Sequence, residues 1–284
     1  MSYLLIKKFP VLFTFCIPMN RIDAKFQELR DRGARAFMPY VCAGDPNPEL
    51  TPKLFLTLEE AGADLIELGV PFSDPIADGP TIQRASERAL THNISLQEIL
   101  EIVASLRPET DIPIALMSYY NPIFRMGEEA FCKAAQEAGV DGLIVPDLPP
   151  EQAQPLLEIA PRYNLATIFL VAPTSPPERM KLIASVSTGF IYCVSVTGVT
   201  GARTKLSDEV APMIAELRKH TDKPISVGFG ISTPEQAKQV TELADGAIVA
   251  SAIINVYEKH INDEAKLLTA VKQFASDLAA GVKA

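Results

Sequence analysis

Residues 59–68 read EEAGADLIEL, and variants of the phrase return as QEAGVDGLIV at 136–145 and ELADGAIV at 242–249. Each ends a helix-like segment at or near a small residue and runs directly into an apolar, β-branched stretch. Outward from these three, comparable runs stand at 36–41 (AFMPYV), 112–120 (IPIALMSYY), 166–172 (ATIFLVA), 189–196 (GFIYCVSV) and 224–230 (PISVGFG), and a helix-like segment follows each run. About eight β-α units are therefore predicted. Near-continuous apolar strands belong to a parallel sheet covered by helices, and eight units in some 250 residues suit an α/β fold of the closed (β/α)8 TIM-barrel kind. An open dinucleotide fold would want a G-x-G-x-x-G after its first strand, and none is there.

The composition agrees with one well-filled domain. The chain has 284 residues, 48% of them hydrophobic, and no Pro/Gly/Ser linker divides it. A net charge of −9 repels phosphate backbones and anionic membranes, so neither nucleic acid nor membrane is expected as a partner. Cys16, Cys42, Cys132 and Cys193 lack C-x-x-C spacing, which suits a reducing cytoplasm. Residues 1–18 (MSYLLIKKFPVLFTFCIP) contain Pro10, lack a cleavage site and are too short to span a bilayer; they are read as a non-native or disordered extension. From Met19 an amphipathic helix is predicted to run to Gly33, ahead of the first strand, with residues 19–284 as a single barrel domain.

Within the run at 64–70 (DLIELGV) the side chains alternate, so Leu65, Glu67 and Gly69 share one face and Ile66, Leu68 and Val70 the other. The all-apolar face is predicted to meet the helices, which aims Glu67 into the barrel near the end where this fold places its chemistry. A carboxyl buried without a partner takes up a proton, and that makes a general acid. A structural Glu would need a basic neighbour, but the predicted strands contain no Lys or Arg. Asp74 and Asp78 follow in a long βα loop, where Asp-Pro and Asp-Gly are also ordinary turn residues. Asp78 is placed to approach a ligand beside Glu67, while Asp74 suits ordering the loop.

The far end of the chain offers Gly-bearing loops at 195–203 (SVTGVTGAR) and 226–232 (SVGFGIS), and a helix entered through Ser251. In such barrels the loops after the last strands hold phosphate, because glycine lets the backbone approach an anion and a helix start favours negative charge. An anionic substrate is implied. A Schiff-base aldolase would need a strand lysine, and a metal enzyme would need clustered ligands, whereas His92, His220 and His260 lie on helices or at their ends. Acid/base chemistry by carboxylates remains, in a pocket that could carry Tyr40, Tyr119, Tyr192 and Phe229.

The segments MPYVCAGDP (38–46), IELGVPFSDPIADGPTIQ (66–83), YYNPIF (119–124), VPDLP (145–149), TGVTGAR (197–203) and GFGISTPEQ (228–236) resemble, in this order, the α subunit of tryptophan synthase. The resemblance implies retro-aldol cleavage of indole-3-glycerol phosphate to indole and glyceraldehyde 3-phosphate, with Glu67 and Asp78 catalytic and no metal or cofactor in this chain. It places Tyr192 beside Glu67, includes Tyr119 among the substrate-binding residues, sets Tyr40, Ile144 and Phe229 along the indole wall, and puts Gly201, Gly230, Ala250 and Ser251 at the phosphate. Ala250 departs from the family's usual Gly, and Val196 stands where some members have Arg. The implied partner is a β subunit carrying pyridoxal phosphate, in an α2β2 assembly, with Asp74, Asn121 and Pro122 on the docking surface. Two rivals share these features in part: another phosphate-binding barrel enzyme, and a nearly inactive barrel that serves to activate the β subunit.

Overall fold

A computed structural model of the protein describes residues 19–194, 210–228 and 230–284. In chain order its elements are α1 (Arg21–Asp31), β1 (Ala36–Cys42), α2 (Leu50–Glu60), β2 (Ile66–Gly69), α3 (Pro80–Leu90), α4 (Leu96–Leu106), β3 (Ile114–Met117), α5 (Tyr120–Met126), α6 (Glu128–Ala138), β4 (Gly142–Ile144), α7 (Gln154–Ile159), β5 (Ala166–Ile168), β6 (Leu170–Val171), α8 (Pro177–Val186), β7 (Ile191–Val194), α9 (Val210–Arg218), β8 (Ile225–Gly228), α10 (Pro234–Thr241), β9 (Gly246–Val249), α11 (Ser251–Tyr257) and α12 (Glu264–Val282). All strand pairings are parallel, in the order β5-β4-β3-β2-β1-β9-β8-β7-β6.

That order begins and ends on β5 and β6, which are two halves of one stave interrupted at Phe169. The Phe169 carbonyl accepts from the Tyr192 N–H at 3.1 Å, and the Thr167 carbonyl from the Thr188 N–H at 2.9 Å. The ring is thereby joined, and the nine segments form the eight staves of a (β/α)8 barrel.

The two faces of each stave separate two cores. Ile66, Leu68 and Val70 pack outward among the helices, as the alternation predicts. Leu65, Met38, Ala115, Ile144, Ile168, Tyr192 and Ile248 fill the interior. Helix α1 contributes Ile22, Phe26 and Leu29 to that interior cluster. Its contacts fall where strands begin: a Cβ at Gly142, the first residue of β4, would lie 2.6 Å from Ile22, and Phe26 meets Phe190 with ring centroids 5.7 Å apart. Asn20 sets this plug by capping α1, accepting from the Ile22 N–H at 2.8 Å and donating to the Asp141 carbonyl at 2.7 Å. The bottom of the barrel is closed with apolar side chains, and the opposite mouth is left to the βα loops.

Candidate active site

Glu67 projects into the barrel, 1% exposed. Registers Tyr40↔Glu67↔Ala115 and Leu170↔Tyr192 put Glu67, Ile144, Tyr192 and Ile248, from alternate staves, in one inner layer. Its Oε2 has no hydrogen-bond partner among the described residues. Burial pushes the Glu67 carboxyl up to about 8 from an ordinary 4.5, and the nearby Asp78 charge adds to the shift. At neutral pH the group keeps its proton.

Two tyrosines close in above it, each over a glycine on the neighbouring strand. A Cβ at Gly69 would stand 2.0 Å from the Tyr40 hydroxyl, and one at Gly228 would stand 2.4 Å from that of Tyr192. These glycines are required by ring approach, not by turn geometry. Burial raises both phenols well above their usual range, and the Glu67 and Asp78 charges push in the same direction. Both rings therefore stay neutral.

Asp78 arrives from the loop between β2 and α3, 8% exposed. Pro80 at the start of α3 ends that loop, since its missing N–H costs nothing at a first helical turn. The Asp78 N–H donates to the Pro75 carbonyl at 3.0 Å, and Gln83 donates to the Asp78 carbonyl at 2.8 Å. Tyr119, from the end of the third stave, holds the loop twice: its hydroxyl donates to Asp78 Oδ2 at 3.1 Å and accepts from the Ala77 N–H at 2.8 Å. Phe72 stacks on Tyr119 with centroids 4.9 Å apart. Burial pushes the Asp78 carboxyl up to about 6, against the opposing pull of the Tyr119 bond. The two carboxyls feel one another, one inclined to hold a proton and the other to lose it.

At the other side of the mouth, Gly230 and Ala250 follow the paired strands β8 and β9. Gly230 has φ +77°, and among the described residues a Cβ there would meet nothing within 4 Å. Backbone conformation is what calls for glycine. Ala250 has φ −111°, outside the left-handed region that favours glycine, and is followed by Ser251 at the start of α11. Gly201, Phe229 and Val196 lie outside the described residues, as do residues 1–18.

Asp74 is exposed and orders its own loop, its side chain accepting from the Ser73 hydroxyl at 2.6 Å and its carbonyl from the Ile76 N–H at 2.9 Å. Asn121 is exposed on α5, after the adjacent strand β3. Beside these stand Ile76, 85% exposed, and Phe124, 62% exposed, which the sequence reading passes over. For Ile76 the available signal was a large apolar residue inside a polar loop, whereas Phe124 lies on α5. The Phe72–Tyr119 stack and the Tyr119–Asp78 bond carried none.

A closed parallel (β/α)8 barrel with two unequal, desolvated carboxyls toward one end is the architecture of a barrel enzyme, and the pair is its candidate acid/base site. The family model described as tryptophan synthase alpha chain matches residues 26–283, and the chain belongs to that family. It is 50% identical over 266 residues to the tryptophan synthase alpha chain of Geotalea uraniireducens, covering 94% of this chain and 99% of the relative. The crystal structure of tryptophan synthase subunit alpha from Legionella pneumophila superposes with a TM-score of 0.85 at 40% identity, covering 93% of this chain and 98% of that one. A structure of Mycobacterium tuberculosis tryptophan synthase gives 0.86 at 36% identity, covering 94% and 99%.

Proposed function

We propose that Glu67 and Asp78 divide the chemistry of the α reaction between them. The chain is a lyase of tryptophan biosynthesis and performs that reaction, cleavage of indole-3-glycerol phosphate to indole and glyceraldehyde 3-phosphate. Protonated Glu67 delivers its proton to indole C3, leaving positive charge on the ring nitrogen. Anionic Asp78 accepts the indole N–H and stabilises that charge. The Glu67 carboxylate then takes the proton of the hydroxyl on the attached glycerol carbon. A C=O forms there, the C–C bond to indole C3 breaks, and its electrons restore the ring. One proton is given and one recovered, so the cycle closes on Glu67. The observation that carries this reading is the buried Oε2 of Glu67, without a partner among the described residues, beside an Asp78 whose carboxyl is raised less.

The interior wall suits an indole, with Ile144 fully buried and the Tyr40 and Tyr192 rings neutral. Tyr119 acts at the same end by holding Asp78, and Phe229 is assigned to that wall by resemblance. The phosphate falls to Gly201, Gly230, Ala250 and Ser251, through backbone N–H groups and the start of α11. Alanine still donates its N–H, so Ala250→Gly is expected to change KM by less than about threefold. Gly230→Val forces a β-branched residue to φ +77° and puts methyl groups where the anion approaches. Its KM is expected to rise tenfold or more, equal to ~1.4 kcal/mol where KM tracks dissociation. Steady-state kinetics decide this, and the opposite ordering would place the phosphate elsewhere.

Residues 19–284 work on this reading as one catalytic barrel in the cytoplasm, paired as α2β2 with a tryptophan synthase β subunit that holds pyridoxal phosphate. Asp74, Asn121 and Pro122, with the exposed Ile76 and Phe124, form the docking face. No helix among the described residues is long and apolar enough to cross a membrane. The test of function is indole release from indole-3-glycerol phosphate by the purified chain, with and without a β subunit. Release that rises when the β subunit is added is expected; none under either condition would leave only the activator role.

A further inference from the structure

Helices α3 and α11 run side by side at the barrel wall, and a chain of polar contacts joins them. Thr81 Oγ1, in the first turn of α3, donates to Oδ1 of Asn255, in the last turn of α11, at 3.4 Å. One turn on, Arg84 grips Glu258 through Nε–Oε1 at 3.0 Å and Nη2–Oε2 at 2.9 Å. Another turn on, Arg88 gives Nη1 to Glu258 Oε1 at 2.7 Å, and turns Nε and Nη2 onto both oxygens of Asp45 at 2.7 and 2.9 Å. Asp45, just past β1, is 0% exposed, and the buried Tyr257 at the end of α11 donates to its Oδ2 at 2.5 Å. The Arg84 and Arg88 bonds hold the Glu258 carboxyl down to about 2. Burial pushes Asp45 up, and the bonds from Arg88 and Tyr257 pull it back.

Stability alone is a poor reason for this arrangement, since a buried ion pair gains little over well-packed apolar residues. What a two-pronged Arg–carboxylate grip supplies is direction, because it fixes angle as well as distance. Each helix it fixes begins at one end of the proposed site. Helix α3 starts two residues after Asp78, at the indole end, and α11 starts at Ser251, after Ala250, at the phosphate end.

We infer that Arg88, with Asp45, Tyr257 and Glu258, is a positioning residue that sets the separation between Asp78 and the Ala250–Ser251 end of the site. The inference rests on the phosphate reading given above. A ligand that touches both ends depends on that separation, and a ligand that touches only one does not.

The test uses the full chain carrying Glu258→Gln, which loosens the outer half and leaves Asp45 paired, and Arg88→Lys, which keeps the charge and loses the fork. The readouts are kcat and KM for indole-3-glycerol phosphate, the inhibition constant of glycerol 3-phosphate as a one-ended probe, and the thermal midpoint. In both variants KM is expected to rise and kcat to fall by roughly threefold to tenfold, while glycerol 3-phosphate inhibition stays within about twofold. If Arg88→Lys does not fold, Glu258→Gln decides alone. Unchanged kcat and KM overturn the inference, and so does inhibition that weakens in step with KM, which would make the network a local support of the phosphate loops. Wild-type protein that glycerol 3-phosphate does not inhibit competitively overturns the phosphate reading and this inference together.

Discussion

Glu67→Gln is expected to lower kcat for indole-3-glycerol phosphate cleavage at least ~100-fold with the fold intact, the ordinary worth of a general acid/base group being 10²–10⁴-fold. Glutamine has the shape of the protonated carboxyl and enters a cavity already neutral at pH 7. It can neither give a proton to C3 nor recover one from the hydroxyl. Because the substitution leaves the pocket's shape alone, the loss should fall on kcat, with KM changing less than about threefold. Stopped assays of indole formation measure this, and a variant keeping half its activity would remove Glu67 from the chemistry.

Asp78→Asn comes second, at roughly 100-fold in kcat/KM, comparable to losing one preorganised electrostatic partner of a developing charge. Asparagine can still accept the Tyr119 hydroxyl bond through its amide oxygen, so the loop keeps its anchor and mainly the charge is lost. The pH profile separates the two roles. Wild-type kcat/KM should be bell-shaped, rising as Asp78 ionises near pH 6 and falling as Glu67 ionises near pH 8, both limbs belonging to the coupled pair. In Asp78→Asn the acidic limb should vanish. The basic limb should move to lower pH, because the Asp78 charge is one of the two causes that raise Glu67. An acidic limb that persists would assign it to another group.

The barrel was legible because the staves are buried on both faces, so runs such as 36–41 and 246–249 appear apolar throughout. Glu67 was legible for the same reason, a lone charge inside such a run. The break at Phe169 was not, since 166–172 carries no turn residue, Thr167 apart is apolar, and only pairing to different neighbours divides it. In the sequence Gly69 is one more inner-face strand residue and Gly228 passes for a loop glycine; the cause of both is the tyrosine rings crossing from adjacent strands. Tyr119 reaches Asp78 across 41 positions, and Arg88 reaches Asp45 and Glu258 across 43 and 170. Charges that far apart carry no local pattern, so in the sequence they look like solvated helix faces.

The central claim is that burial keeps Glu67 protonated at neutral pH, and the unfolding free energy of Glu67→Gln minus that of the wild type, followed against pH, tests it most directly. Below about pH 4.5 the carboxyl is protonated in both folded and unfolded chains, so the difference should be flat. Above that, the unfolded chain releases a proton that the folded chain keeps, and wild-type stability falls relative to the variant. The loss continues until pH passes the raised value of about 8. Between those limits the difference should grow by up to ~1.4 kcal/mol per pH unit in favour of the variant. A difference independent of pH would show a carboxyl that titrates as in the unfolded chain, and a wild type that gains relative stability as pH rises through 4.5 would show an ionised, partnered one; either result contradicts a Glu67 held neutral by burial.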